Sequence, residues 1–227
     1  MSGIAYGIGV GPGDPELLTL KALRLLRAAP VVAYPAPEGG SSFARAIVAA
    51  HLDPAQSEIP IVVPMEAARF PAQEVYDEAA RAIARHLESG ADVAILCQGD
   101  PFFYGSFMYL FERLAAAHRV EIVPGVSSLA ACAAAARLPL AGRTEILSII
   151  PAPLDETVLA ERLAASPAAA IIKLGRHFAK VHRVLAALGR AERAWYVERA
   201  TLPNQRVLKL AEVAPETVPY FAMVLVR

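Results

Sequence analysis

The hydrophobic pattern of this chain changes period again and again, and that alternation limits the folds open to it. An apolar, β-rich run at Ile4–Val10 opens into the loop Gly11-Pro12-Gly13-Asp14-Pro15. A helical segment follows with Leu17, Leu18, Leu20, Leu23, Leu25 and Leu26, stopping before Pro30. Asp14 and Pro15 suit an N-cap and first turn, because proline's missing N–H costs nothing there. Val31–Tyr34 then reads as a buried strand and Ser41–His51 as a serine-capped helix. Ala72–Glu88 places Tyr76, Ala79, Ala80, Ile83 and Leu87 on one helical face, with Gly90 to end it. Asp92–Cys97 and Val120–Val123 read as strands, Ser106–His118 and Ser127–Arg137 as helices. Strands alternating with helices in this way predict a parallel, doubly wound α/β sheet.

The second half keeps the alternation but ends differently. Glu145–Ile150, Ala168–Lys173, Ala194–Glu198, Arg206–Leu210 and Tyr220–Val226 read as strands, with helices over Glu156–Ala165 and Phe178–Leu188. Its last three strands have no helices between them, which predicts a mixed sheet. Leu138-Pro139-Leu140-Ala141-Gly142 is the best boundary in the chain. The expected architecture is two α/β lobes, residues 1–138 and 139–227.

Composition excludes several classes of function. Hydrophobic residues make up 56% of the 227, but 46 of them are alanine. The rest is ordinary for a globular chain, and no uncharged apolar run reaches the length of a membrane helix. Lys+Arg and Asp+Glu balance at 22 each, so there is no overall field for nucleic acid or anionic lipid. The first residues lack a signal-peptide pattern, and Cys97 and Cys132 make neither a zinc site nor a disulfide framework. These features predict a cytoplasmic enzyme with neither a nucleic-acid nor a membrane partner.

Three loops at predicted strand ends carry the chemistry. Gly7-Ile8-Gly9-Val10-Gly11-Pro12-Gly13 fails as a dinucleotide fingerprint, since G-x-G-x-x-G begun at Gly7 or Gly9 ends on Pro12 or Asp14. No P-loop exists anywhere. As a lone turn the loop is equally a structural strand-to-helix connection. Cys97-Gln98-Gly99-Asp100-Pro101-Phe102-Phe103-Tyr104-Gly105-Ser106 is more telling: a glycine for close approach, a carboxylate and a phenol. Its alternative is an Asp-Pro turn that packs aromatics inward. Val123-Pro124-Gly125-Val126-Ser127-Ser128 offers backbone N–H groups and hydroxyls at a helix start, or simply a serine cap. His177 and His182 have no third metal ligand, so no metal is expected.

Taken together, these segments resemble the tetrapyrrole methylase family over nearly the whole chain. The match runs through GVGPGDPELLTLKAL (Gly9–Leu23), GDPFFYGSFMYL (Gly99–Leu110), VPGVSSLAA (Val123–Ala131), IIKLGR (Ile171–Arg176), YVERATLPNQRV (Tyr196–Val207) and PYFAMVLV (Pro219–Val226). CQGDPFFYGSFMYLFERL, with KLGR and VERAT, is similar to the precorrin-2 C20-methyltransferase subgroup, and its FFYGSFMYL wording to the metal-free branch. Gln98 and Ala222 stand where glutamate and serine are expected. If the cofactor is held there through the backbone, neither change abolishes binding.

The resemblance implies S-adenosylmethionine as cofactor, left as S-adenosylhomocysteine, folded between two lobes of a homodimeric enzyme of cobalamin synthesis. It carries cofactor contacts onto Pro12, Gly99, Asp100, Phe103, Ser127 and Ser128, and onto Leu174, Thr201 and Ala222. Asp100, with Tyr104 beside it, is the expected acceptor of the proton lost from C20, or the stabiliser of the developing cation. Precorrin-2 carries eight carboxylates, so arginines are expected along its site; the candidates are Arg45, Arg69, Arg176, Arg199 and Arg206. The competing readings are the cobalt-loaded substrate, a different acceptor such as a diphthamide intermediate or ribosomal RNA, and a non-catalytic module binding the cofactor or a tetrapyrrole.

Overall fold

A computed structural model describes residues 2–63, 73–214 and 218–227. The chain divides into two compact units, Met1–Ser127 and Ser128–Arg227. The first holds a five-stranded parallel sheet of β1 (Ala5–Gly9), β2 (Val31–Pro37), β3 (Ser57–Val63), β4 (Val93–Cys97) and β5 (Val120–Val123). Their spatial order is β3-β2-β4-β1-β5. α1 (Leu20–Ala28) and α2 (Phe43–Val48) cover one face, against Tyr6, Ile8, Val32, Ala94 and Leu96. α3 (Gln73–Glu88) and α4 (Phe107–Leu114) cover the other, against Ala5, Val31, Val93 and Ile95. α3 buries Tyr76, Ala79, Ala80, Ile83 and Leu87, the face its periodicity predicts.

One local expectation is corrected. Asp14 and Pro15 cap only a short 3-10 turn, Pro15–Leu17, after which Leu18 is extended. α1 begins at Leu20, where the Thr19 hydroxyl accepts the Ala22 N–H at 3.1 Å. A second cap thus overrides the Asp-Pro signal. β3 escapes a reading by alternation because it is an edge strand, mostly exposed, with Pro60 inside it. Proline is tolerated there because an edge has N–H positions without a ladder partner.

The second unit holds β6 (Leu147–Pro151), β7 (Ala168–Ile172), β8 (Ala194–Glu198), β9 (Arg206–Lys209) and β10 (Ala222–Val226), in the order β6-β7-β10-β8-β9. β6 and β7 are parallel; β10 runs antiparallel to β7 and β8, and β9 antiparallel to β8. The sheet is mixed, as the missing helical spacers predict. α6 (Glu156–Ala164) and α7 (Phe178–Ala187) pack on one face. The alanine-rich α5 (Ser128–Ala136) packs on the other, setting Ala131, Cys132 and Ala136 against Ala170, Val197 and Leu225. The sequence boundary at 138/139 keeps α5 with the first lobe, whereas its packing places the division one helix earlier.

Arg190 is the buried cation of this unit. Its guanidinium donates to the carbonyls of Leu163 and Ser166 and, at 2.8 Å, Pro167, at the carboxyl end of α6, where a cation is favoured. Arg190→Ala removes this donor from the Ser166 and Pro167 carbonyls, and from Leu163 O, which keeps only the Ser166 N–H at 3.3 Å, and should cost about 2–4 kcal/mol of stability, measured by urea unfolding.

Candidate functional site

β1 and β4 are adjacent, yet their connections leave toward opposite faces, β1 through α1 and β4 through α4. That divergence at the carboxyl ends of parallel strands is where open α/β sheets bind ligands. The loops that follow β1, β4 and β5 meet there. Val10 donates its N–H to Cys97 O at 2.9 Å, and Gly11 and Gly99 exchange two backbone hydrogen bonds, at 3.3 and 2.7 Å. Gly99 and Gly11 need their left-handed φ of 68° and 80° to make this bridge.

Asp100 ties in the third loop. One carboxylate oxygen accepts the N–H of Phe102 at 2.9 Å and of Phe103 at 3.1 Å. The other accepts the N–H of Gly125 at 3.0 Å. Backbone lies on backbone at this point. A Cβ on Gly125 would sit 2.1 Å from Gly99 O, and one on Gly9 would sit 2.6 Å from Gly125 Cα. Sequence alone singles out Gly99 for close approach and gives Gly9 and Gly125 no such role; a glycine directly after a strand-end proline is the signal that finds Gly125.

The structure therefore brings Pro12, Gly99, Asp100 and Phe103 into one cluster of loops, with Ser127 closing the β5 loop. Pro12 and Gly99 are buried, Phe103 and Ser127 partly so, and Ser128 is exposed as the first residue of α5. Tyr104 is 43% exposed, packs edge-on to Phe103 and holds a left-handed φ of 56°. A bulky residue in that region is strained, and such strain concentrates at functional sites. Among Val10–Pro15, Gln98–Ser106 and Pro124–Ser127 the charged side chains are Asp14 and Asp100, with no basic residue. Carboxylates and carbonyls without a cation suit a positively charged ligand and repel a phosphate. Cys97, behind the loop, is buried, and its burial pushes the thiol up to about 11, so it is no nucleophile at neutral pH.

In the second unit, Leu174 follows β7, Thr201 follows β8 and Ala222 opens β10. Because β10 is antiparallel to both neighbours, all three lie at one end of the sheet. The side chains of Leu174 and Ala222 are buried in the core beneath α6 and α7; Leu174 O accepts the His177 N–H at 2.7 Å and the Ala222 N–H donates to Tyr220 O at 3.0 Å. Lys173, Arg199 and Thr201, in the same turns, have left-handed φ of 57°, 50° and 72°.

The five candidate arginines are not alike. Arg45 is saturated by Glu58, at 2.6 and 2.7 Å, and lies 5.9 Å from the centre of the Tyr34 ring. Arg176 is exposed after β7, and Arg69 lies outside the described residues. Arg199 and Arg206 share the carboxylate of Glu198, a buried acid that the sequence reading did not single out. Its signal is position: Ala194, Tyr196 and Glu198 alternate inward on β8. Among the described residues no cluster of His, Cys, Asp and Glu could hold a metal, and no helix is long and apolar enough to cross a membrane.

The Arg45–Glu58 pair sets a pH dependence. Hydrogen bonds from Arg45, then Tyr34, lower the Glu58 carboxyl from 4.5 to about 2. A lowered folded value contributes stability that is present above 4.5 and lost as pH falls through about 2. Glu58→Gln should therefore lower the urea midpoint at pH 7 and leave it unchanged below pH 2. A difference that persists below pH 2 would assign the effect to packing.

Comparison with known proteins points to one family. The family model for Tetrapyrrole (Corrin/Porphyrin) Methylases matches residues 5–214. A Precorrin-2 C(20)-methyltransferase of Sinorhizobium sp is 43% identical, the match covering 100% of this chain and 97% of that protein. A Cobalt-precorrin-2 C(20)-methyltransferase of Salmonella typhimurium is 34% identical with the same coverage of each. Among solved structures, a cobalt precorrin-4 methyltransferase superposes with TM-score 0.78 at 26% identity, covering 98% of this chain and 94% of its own. A uroporphyrin-III C-methyltransferase of Thermus thermophilus, complexed with S-adenosylhomocysteine, has TM-score 0.71 at 30% identity, covering 99% and 92%. With two such sheets, three interlocked strand-end loops and a family match across both units, the chain belongs to the tetrapyrrole methylases.

Proposed function

We propose that this chain transfers a methyl group from S-adenosylmethionine to C20 of precorrin-2, giving precorrin-3A in cobalamin biosynthesis. The observation that carries this reading is its end-to-end likeness to the Sinorhizobium enzyme, closer than to the Salmonella cobalt-precorrin-2 enzyme. The loops fit the cofactor in charge: Asp14 and Asp100 are their charged side chains, with no basic residue to repel a sulfonium. Pro12, Gly99, Asp100, Phe103 and Ser127 would hold it from the β1, β4 and β5 loops. Bound there, S-adenosylmethionine supplies a methyl group already activated by its positive sulfur.

The residues then have little bond-making to do. Aligning a nucleophilic carbon with the methyl is worth several orders of magnitude in rate. Asp100 serves that alignment by pinning the β4 and β5 loops, and both of its oxygens are already occupied by N–H donors. Its carboxylate charge favours a cation nearby. Tyr104, exposed on the same loop, is assigned to relay the C20 proton to solvent water, its phenol passing one proton on as it takes up the other. The working form in this reading is a cytoplasmic homodimer, which sedimentation equilibrium checks.

Anaerobic incubation with precorrin-2 and methyl-labelled S-adenosylmethionine tests the assignment by mass spectrometry, beside a cobalt-precorrin-2 sample. One labelled methyl on the metal-free macrocycle supports it. Preference for the cobalt sample moves the chain to the other branch, and no label on either overturns the reaction.

A further inference from the structure

Glu198 is 1% exposed, and no step of the methyl transfer uses it. One of its oxygens takes the phenol hydrogen bond of Tyr196, at 2.5 Å. The other serves two arginines at once, Arg199 at 3.2 Å and Arg206 at 3.5 Å. These are long separations for charged partners, which settle near 2.7–2.9 Å when satisfied. Arg45 and Arg183, by contrast, reach carboxylates at 2.8 Å or less. Each of the two arginines spends one nitrogen on the shared oxygen, and their side chains are 37% and 49% exposed. Two guanidiniums on one carboxylate leave a local positive charge in a chain whose net charge is zero.

Beside them stands an aromatic pair. Arg199 donates its backbone N–H to Phe221 O at 2.9 Å, and Phe221 meets Tyr220 edge-on at 5.1 Å. Tyr220 is 61% and Phe221 38% exposed. Exposed rings next to under-satisfied guanidiniums match a flat, ring-bearing polycarboxylate.

We propose that Arg199 and Arg206, held on the buried carboxylate of Glu198 beside Tyr220 and Phe221, form the receptor for a peripheral carboxylate of the tetrapyrrole substrate. Glu198 is the positioning residue: it draws both guanidiniums to one point and leaves their remaining N–H donors facing outward. A substrate carboxylate completes the pairing that Glu198 alone leaves short. The proposal rests on the reading of the substrate as a tetrapyrrole, but its test does not need turnover.

The probe is uroporphyrin I, an air-stable tetrapyrrole polycarboxylate, titrated by fluorescence over a range of KCl concentrations, with S-adenosylhomocysteine binding and melting temperature measured in parallel. Arg206→Gln and Arg199→Gln should each weaken uroporphyrin binding about tenfold and flatten its salt dependence. Arg206→Gln should keep both its S-adenosylhomocysteine affinity and its melting temperature, and Arg206→Lys should fall between it and the unaltered chain, having the charge without the fork. Glu198→Gln separates positioning from bulk charge. It adds local positive charge, so a simple basic patch would bind uroporphyrin more tightly, whereas lost positioning binds it more weakly. Because a buried substitution can impair folding, Tyr196→Phe gives a second, milder loosening of Glu198, and it too should weaken binding. Unchanged affinity in both arginine variants, or tighter binding in a folded Glu198→Gln, overturns the proposal. If the chain fails to methylate precorrin-2 while uroporphyrin binding still depends on both arginines, the assigned reaction falls and the receptor stands.

Discussion

Gly125→Ala is expected to abolish cofactor binding and to lower the melting temperature by about 6–12 °C. The added methyl would lie 2.1 Å from Gly99 O and 2.8 Å from Gly9 C, and both contacts are main chain, so no side chain can rotate away. Relief requires the β5 loop to withdraw from the other two, at a cost of about 3 kcal/mol. Withdrawal also breaks the hydrogen bond from Gly125 N–H to Asp100. Calorimetric titration with S-adenosylhomocysteine and a thermal melt measure both effects. Wild-type affinity in this variant would mean that the three loops need not interlock for the cofactor to bind.

Asp100 is expected to fail in a different pattern. Asp100→Ala strips three N–H groups of their acceptor, which should cost about 3 kcal/mol and more than a hundredfold in kcat/KM. Asp100→Asn is the sharper variant. Its single carbonyl oxygen can still accept from Phe102 and Phe103, but its NH2 then faces the Gly125 N–H, donor against donor. If Asp100 organises the loops, Asp100→Asn lowers S-adenosylhomocysteine affinity and the melting temperature together. If it were the proton acceptor alone, kcat would collapse with both of those left unchanged.

The sequence made the alternation of strands and helices legible because each central strand is a short apolar run bounded by a glycine or proline turn, as at Val93–Cys97 before Gly99. The mixed second sheet was legible from the closely spaced strands after Ala194. β3 was not, since an exposed edge strand with Glu58 and Pro60 has neither the apolar run nor the strict alternation that marks a strand. Nor could the start of α1 be placed, because Asp14 and Thr19 are both good caps and only the extended backbone at Leu18 decides between them. In the candidate site the loops were visible as motifs, but their interlocking was not. The contact of Gly125 with Gly9 and Gly99 depends on β1 lying between β4 and β5, which is a fact of topology. Likewise, five arginines were equivalent in the sequence. The structure separates Arg45, saturated by Glu58, from Arg199 and Arg206, which share one oxygen of a buried acid.

The proposed methyl transfer is defined by the carbon that receives the group. Its most direct test is carbon NMR of the macrocycle isolated after anaerobic turnover of precorrin-2 with isotope-labelled S-adenosylmethionine. A single labelled methyl, bonded to C20, is expected. A labelled methyl at another carbon of the ring would contradict it, even with the same gain in mass.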